Sequence, residues 1–158
     1  MKMKKRVLPA LVLSAFAAFG PSEAQSAQFT AVYAFGDSLS DAGYYRGFLL
    51  GVGLPPATVA AMGRFTTNPG LSWVEYVAEF YGVPALPSNT SGGTIYAQGG
   101  ARVAASNEAS TPPGFAQRPV STQINEFLAT HAAADPNALY TVWAGANDVF
   151  VNLAGFQA

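Results

Sequence analysis

The chain has 158 residues, half of them hydrophobic, with one histidine and no cysteine. That length and apolar content suit one globular domain, and the missing cysteines exclude disulfides and thiolate chemistry. His131 is the single imidazole, so the usual nitrogen and sulfur ligands of a zinc site are lacking, and neither metal nor cofactor is expected.

Lys2, Lys4, Lys5 and Arg6 make a basic start. Val7 to Phe19 follow as a mainly apolar run broken by Pro9, and then come Gly20, Pro21 and the small residues Ser22 and Ala24. This order is that of a secretory leader, and the run is too short for a membrane span. The alternative is an internal hydrophobic helix. Residues 1–24 are therefore expected to be a signal peptide cleaved after Ala24, with Ala27 the other candidate, and residues 25–158 an exported domain without a transmembrane span. That domain keeps Arg46, Arg64, Arg102 and Arg118 against eight acids, a net charge of −4, and has no lysine. Nucleic-acid binding needs a cationic surface, so that class is excluded.

Phe29 to Phe35 is an apolar run with β-branched and aromatic residues, which predicts a buried strand ending at Gly36. Asp37-Ser38-Leu39-Ser40-Asp41 follows at once, placing a serine just past a strand's carboxyl end. In open α/β sheets ligands bind there; a plain chain-reversing turn is the other reading of Gly36-Asp37-Ser38. Gly43 to Pro56 predicts a short helix and then a loop. Arg64 to Pro69 leads into a helix that Asn68 could cap, with Pro69 in its first turn. Trp73, Val74, Val77, Phe80 and Tyr81 form its expected core stripe, Glu75 and Glu79 its solvent face, and Gly82 its end. Val83 to Gly93 is loop, and Thr94 to Ala97 a short strand running into Gln98-Gly99-Gly100. Ala104 to Pro119 is a second loop, long enough to cover something. Ser121 opens a helix with Ile124, Phe127 and Leu128 inward, ending near Ala133. Leu139 to Trp143 is a third strand, followed by Ala144-Gly145-Ala146-Asn147-Asp148. Strands alternating with helices predict a parallel α/β sheet.

In a parallel sheet the three strand ends share one edge. That edge collects the Ser38 hydroxyl, a glycine N–H at Gly100 and the Asn147 carboxamide, which together suit acyl transfer. Ser38 would attack a carbonyl, and the Ser38 N–H, the Gly100 N–H and the Asn147 amide would bind the oxyanion. Fixed donors around a developing charge are often the largest catalytic contribution, about 3 kcal/mol for one donor in a protease. Asp37, Asp41 and Asp148 lie near this edge and are expected to make turn or cap hydrogen bonds.

Phe35-Gly36-Asp37-Ser38-Leu39-Ser40-Asp41-Ala42-Gly43 resembles the first block of the GDSL lipases and esterases, the SGNH hydrolases. Tyr96-Ala97-Gln98-Gly99-Gly100-Ala101 resembles their second block, and Gly145-Ala146-Asn147-Asp148 their third. The likeness runs from about Thr30 to Phe150, and Arg64 to Gly82 and Asp135 to Asp148 also resemble bacterial secreted and autotransporter members. It implies a flavodoxin-like three-layer α/β/α fold of strand order 2-1-3-4-5, with Ser38 as nucleophile and Gly100 and Asn147 as oxyanion donors. It implies as substrate a small-molecule or lipid ester, or an acetylated sugar. Ile95 stands where the second block usually has asparagine. No G-x-S-x-G surrounds Ser38, so this is not the α/β-hydrolase elbow.

The family's Asp-x-x-His signature, which supplies the base and its orienting acid, is not in the sequence. His131 precedes the third block at a helix end and is expected to be a surface histidine. Strands 1 to 3 of the fold are accounted for and strands 4 and 5 are not. The expectation is an incomplete hydrolase domain with little turnover alone, and an exposed third strand that invites self-association. The alternatives are an exported, inactive acyl- or glycan-binding module and a non-enzymatic interaction domain.

Overall fold

A computed structural model describes residues 28–67, 69–105 and 116–155. The leader-like residues 1–24, the Asn68 cap and most of the Ala104–Pro119 loop lie outside these. The described elements are β1 (Val32–Gly36), a 3-10 turn (Ser38–Ser40), α1 (Arg46–Gly51), α2 (Pro56–Ala60), α3 (Trp73–Phe80), α4 (Val120–Thr130), β2 (Leu139–Trp143) and α5 (Ala146–Gly155). None of these helices is long and apolar enough to cross a membrane.

β1 is the central element. It pairs in parallel with β2, Val32 opposite Leu139 through Gly36 opposite Trp143. On its other flank runs the Thr94–Gln98 segment, also parallel, joined by a bridge between Ala34 and Ile95. The spatial order is second segment, β1, β2, as the resemblance implies. The second strand is shorter than expected, however. Tyr96 and Ala97 both donate to the one carbonyl of Ala34, at 2.7 and 3.1 Å, so no regular ladder forms there.

Successive residues of a strand face opposite sides. Ala34 accordingly packs with Ala42, Val74, Ile95 and Ala97 beneath α3. Phe35 packs with Tyr96, Val120 and Phe127 beneath α4. With helices on both faces and parallel pairing between, the chain is α/β.

α3 differs in rotation from the expected stripe. Its buried residues are Val74, Glu75 and Ala78, while Phe80 is 75% exposed and Trp73 38% exposed. The N-cap is Ser72. The Glu75 carboxylate reaches back to accept from the Ser72 N–H at 2.8 Å and the Ser72 hydroxyl at 2.9 Å, a capping box. Arg64 grips the same carboxylate with Nε at 2.8 Å and Nη2 at 2.5 Å. A buried carboxylate needs such a partner, and the pair turns Glu75 inward rather than onto the solvent face. Gly82, with φ +68°, follows the last turn as expected.

α4 starts one residue earlier than expected and stops at Thr130. It buries Val120, Gln123 and Phe127, while Leu128, expected inside, is exposed. α1 matches the short helix; α2 and α5 lie where no helix was expected. Val142 and Trp143 of β2 and Val149 and Phe150 of α5 are all more than half exposed. Among the described residues β2 has β1 as its strand neighbour and an unpaired far edge.

Candidate active site at the carboxyl edge of the sheet

The first turn is set by Gly36. A Cβ there would collide with the Trp143 carbonyl oxygen, so the chain can pass only as glycine. The Asp37 N–H donates to that same carbonyl at 3.3 Å. Asp37 Oδ1 accepts from the Leu39 N–H at 3.0 Å, capping the 3-10 turn on which Ser38 stands. Ser38 is half-buried. Asp37 is thus a cap, as expected, although its other oxygen, Oδ2, is buried without a partner among the described residues.

The second turn docks on the first. Gln98 donates its N–H to the Gly36 carbonyl at 3.1 Å. Gly99 donates its N–H to Asp41 Oδ2 at 2.8 Å, and its carbonyl accepts from the Tyr45 hydroxyl at 2.7 Å. Gly100 has φ +80°, a left-handed conformation that glycine adopts without strain. The third turn docks on the second. Gly145 turns the chain at φ +110° into α5. The Asn147 amide then donates to the Ala101 carbonyl at 2.9 Å. An amide nitrogen carries two protons, so this bond leaves one. Asp148 Oδ2 accepts from the Val103 N–H at 2.9 Å, with Arg102 Nε 3.5 Å from its Oδ1. At this sheet edge the Ser38 turn is therefore hydrogen-bonded to the Gly100 turn and to the last residue of β2, and the Gly100 turn to the Asn147 turn.

Three buried side chains hold this arrangement. The carboxylate of Asp41 takes the N–H groups of Gly43 and Tyr44, both at 2.7 Å, besides that of Gly99. Burial pushes its carboxyl above the ordinary value, against the lowering effect of those three donors. Gln123 accepts from the Gly36 N–H at 2.9 Å and donates to the Gly36 and Arg118 carbonyls at 3.0 and 3.1 Å. Gln98 accepts from the Arg118 N–H at 2.9 Å and donates to the Ala116 carbonyl at 2.8 Å. Neither glutamine, nor Tyr45, was singled out from the sequence. For Gln123 a signal existed: a polar residue stands at the inward spacing of Val120, Gln123 and Phe127. Asp41 was expected only as a local turn acceptor; its long-range bond to Gly99 needed the tertiary structure.

An apolar cavity of about 380 Å³ is lined by Leu39, which follows Ser38, and by Phe65, Thr66, Trp73 and Trp143. Trp73 donates its indole N–H to Ser40 Oγ at 3.2 Å. The Phe65 ring lies where a Cβ on Gly99 would be, so this wall also touches the second turn. His131 is elsewhere. Its Nε2 is 3.3 Å from the Tyr33 hydroxyl, its Nδ1 is 3.0 Å from the Phe127 carbonyl, and its ring stacks on Phe127 at 4.2 Å. Tyr33 lies five residues before Ser38, on the order of 15 Å along extended chain. His131 is a half-buried helix-terminal histidine at the far end of α4.

The family model for GDSL-like lipase/acylhydrolase matches residues 32–157. A lipase from Photorhabdus luminescens, "Lipase 1", is 32% identical over a 127-residue alignment. That alignment covers 75% of this chain and 15% of that protein, so the chain spans a small part of the relative's length. By that family match, over a segment holding all three glycine-bearing turns, the chain belongs to the GDSL-like lipase/acylhydrolase family.

Proposed function

We propose that this chain carries the nucleophile and the oxyanion-binding side of a carboxylic-ester hydrolase site. The observation that supports it is the chain of hydrogen bonds at one sheet edge that ties the Ser38 turn to the Gly100 turn and to the end of β2, and the Gly100 turn to Asn147. Ser38 Oγ adds to the ester carbonyl carbon as its proton passes to a base. The carbonyl oxygen takes up negative charge and accepts from the Ser38 N–H, the Gly100 N–H and the remaining Asn147 amide proton. Collapse of this adduct breaks the bond to the alcohol oxygen, which leaves protonated, and water then releases the acid from Ser38. The acyl chain lies in the apolar cavity beside Leu39, which suits small-molecule or lipid esters; for an acetylated sugar the acetyl group takes the same place.

The base is the missing part. His131 is held by Tyr33 and Phe127 at the other end of α4. Serine without a base is a weak nucleophile, and losing a triad member leaves only about 10³–10⁴ of the rate advantage over water. The 158-residue chain is thus expected to react slowly with a fluorophosphonate probe at Ser38, and Ser38→Ala to abolish that adduct by mass spectrometry. Its turnover of p-nitrophenyl esters is expected to be barely above background. An adduct elsewhere would sink the nucleophile assignment. Turnover at about 1–10³ s⁻¹, lost in Ser38→Ala, would sink the requirement for a further base. The apolar cavity also supports a second reading, an inactive acyl-binding module, for which ester binding without any Ser38 adduct is the mark.

The edge of β2 that is unpaired among the described residues and its exposed Val142 and Trp143 support self-association, since an open apolar edge templates pairing with a second copy. Sedimentation of the 158-residue chain is expected to show oligomers; a monodisperse monomer at about 50 μM would contradict this.

A further inference from the structure

We infer that Tyr45 is a positioning residue that locks the Gly99–Gly100 peptide with its N–H turned toward the reacting carbonyl. The inference rests on the reading of Gly100 as an oxyanion donor. A trans peptide is planar, so the Gly99 carbonyl and the Gly100 N–H point in opposite directions. Whatever fixes the carbonyl also aims the N–H. The Tyr45 hydroxyl donates to the Gly99 carbonyl at 2.7 Å, and the Tyr45 side chain is buried.

The lock is needed because of the residues it joins. A peptide flanked by two glycines meets no Cβ on either side and can turn over at small cost. Turned over, it would present the Gly99 carbonyl oxygen where the substrate oxyanion forms, and repulsion would replace donation. The next peptide back is held too, because the Gly99 N–H is bound by Asp41 Oδ2 at 2.8 Å. Asp41 and Tyr45 both follow Ser38 within seven residues of sequence. The segment that carries the nucleophile therefore also orients its oxyanion donor. Burial raises the Tyr45 hydroxyl to about 12, so it stays a donor across the range in which ester hydrolysis is measured.

Tyr45→Phe removes the donor and keeps the ring. Fluorophosphonate labelling of Ser38 passes through a charged phosphoryl oxygen that uses the same donors, so its rate reads the lock directly. The maximal labelling rate of Tyr45→Phe is expected to fall about tenfold, short of the 10²–10³ for losing a donor outright. The half-saturating probe concentration is expected to stay within about twofold, with folded circular dichroism. Equal maximal rates in wild type and Tyr45→Phe would overturn the lock. No labelling of wild-type Ser38 would instead overturn the hydrolase reading on which it rests. Should Tyr45→Phe not fold, glycine-labelled wild-type chain supplies the test by NMR. A single sharp Gly100 amide signal supports a locked peptide; exchange broadening confined to Gly99 and Gly100 overturns it.

Discussion

Replacing Gln123 with leucine is expected to lower the unfolding free energy by about 2–3 kcal/mol, the cost of orphaning a buried backbone donor. The side chain is fully buried and satisfies both backbone groups of Gly36. The carbonyl has a second partner in the Gln98 N–H. Leucine would fill similar space, leaving the Gly36 N–H without an acceptor at the point where β1 gives way to the Ser38 turn. Against a total stability of about 5–15 kcal/mol for an ordinary domain, that is a large fraction. Guanidinium unfolding followed by tryptophan fluorescence measures it. A midpoint unchanged from wild type would mean that α4 does not hold the Ser38 turn through this side chain.

Asp41→Asn is expected to cost about 2 kcal/mol at neutral pH, through a different fault. Asparagine can still accept from the Gly43 and Tyr44 N–H groups with Oδ1. Its amide nitrogen then faces the Gly99 N–H, and a donor meets a donor where Oδ2 now accepts at 2.8 Å. The pH dependence is distinctive. Burial holds the Asp41 carboxyl above its unfolded value of about 3.9, so the folded state binds this proton more tightly than the unfolded state does. The corresponding stability is fully present below about pH 4 and is lost as pH rises through the raised folded value. Asparagine does not titrate, so the gap between wild type and variant is expected to narrow as pH rises. A gap that widened with pH would show that the three backbone donors outweigh desolvation at this carboxylate. Because Gly99 precedes the proposed oxyanion glycine, the variant should also slow Ser38 labelling.

How far the fold could be read depended on how local its causes were. β1 and its turn were legible because one short apolar run stops abruptly at glycine and a capping aspartate. The rotation of α3 was not. Five apolar residues suggested one inward face, yet Val74 packs with Ala34 and Ala42 and Ala78 is buried, while Phe80 is left in solvent. Small residues on that side of the sheet accept a close helix, and Arg64 neutralises the Glu75 that comes inward with it. A carboxylate's burial depends on a cation eleven residues away, which periodicity does not register. The second strand failed for a comparable reason: Thr94 and Ile95 both donate to the Leu86 carbonyl, so this stretch divides its backbone bonds between a loop and β1.

What the order of residues determined alone was the chemistry available: a serine and an asparagine, each just after an apolar strand, a glycine pair after a short apolar segment, and a single histidine. Those are short-range properties of composition and periodicity. Only the folded chain decided what holds them, because Asp41, Tyr45 and Gln123 act on backbone groups 54 to 87 residues away. A buried polar side chain must find a partner, but the partner is chosen by packing in three dimensions, where neighbours in space need not be neighbours in sequence.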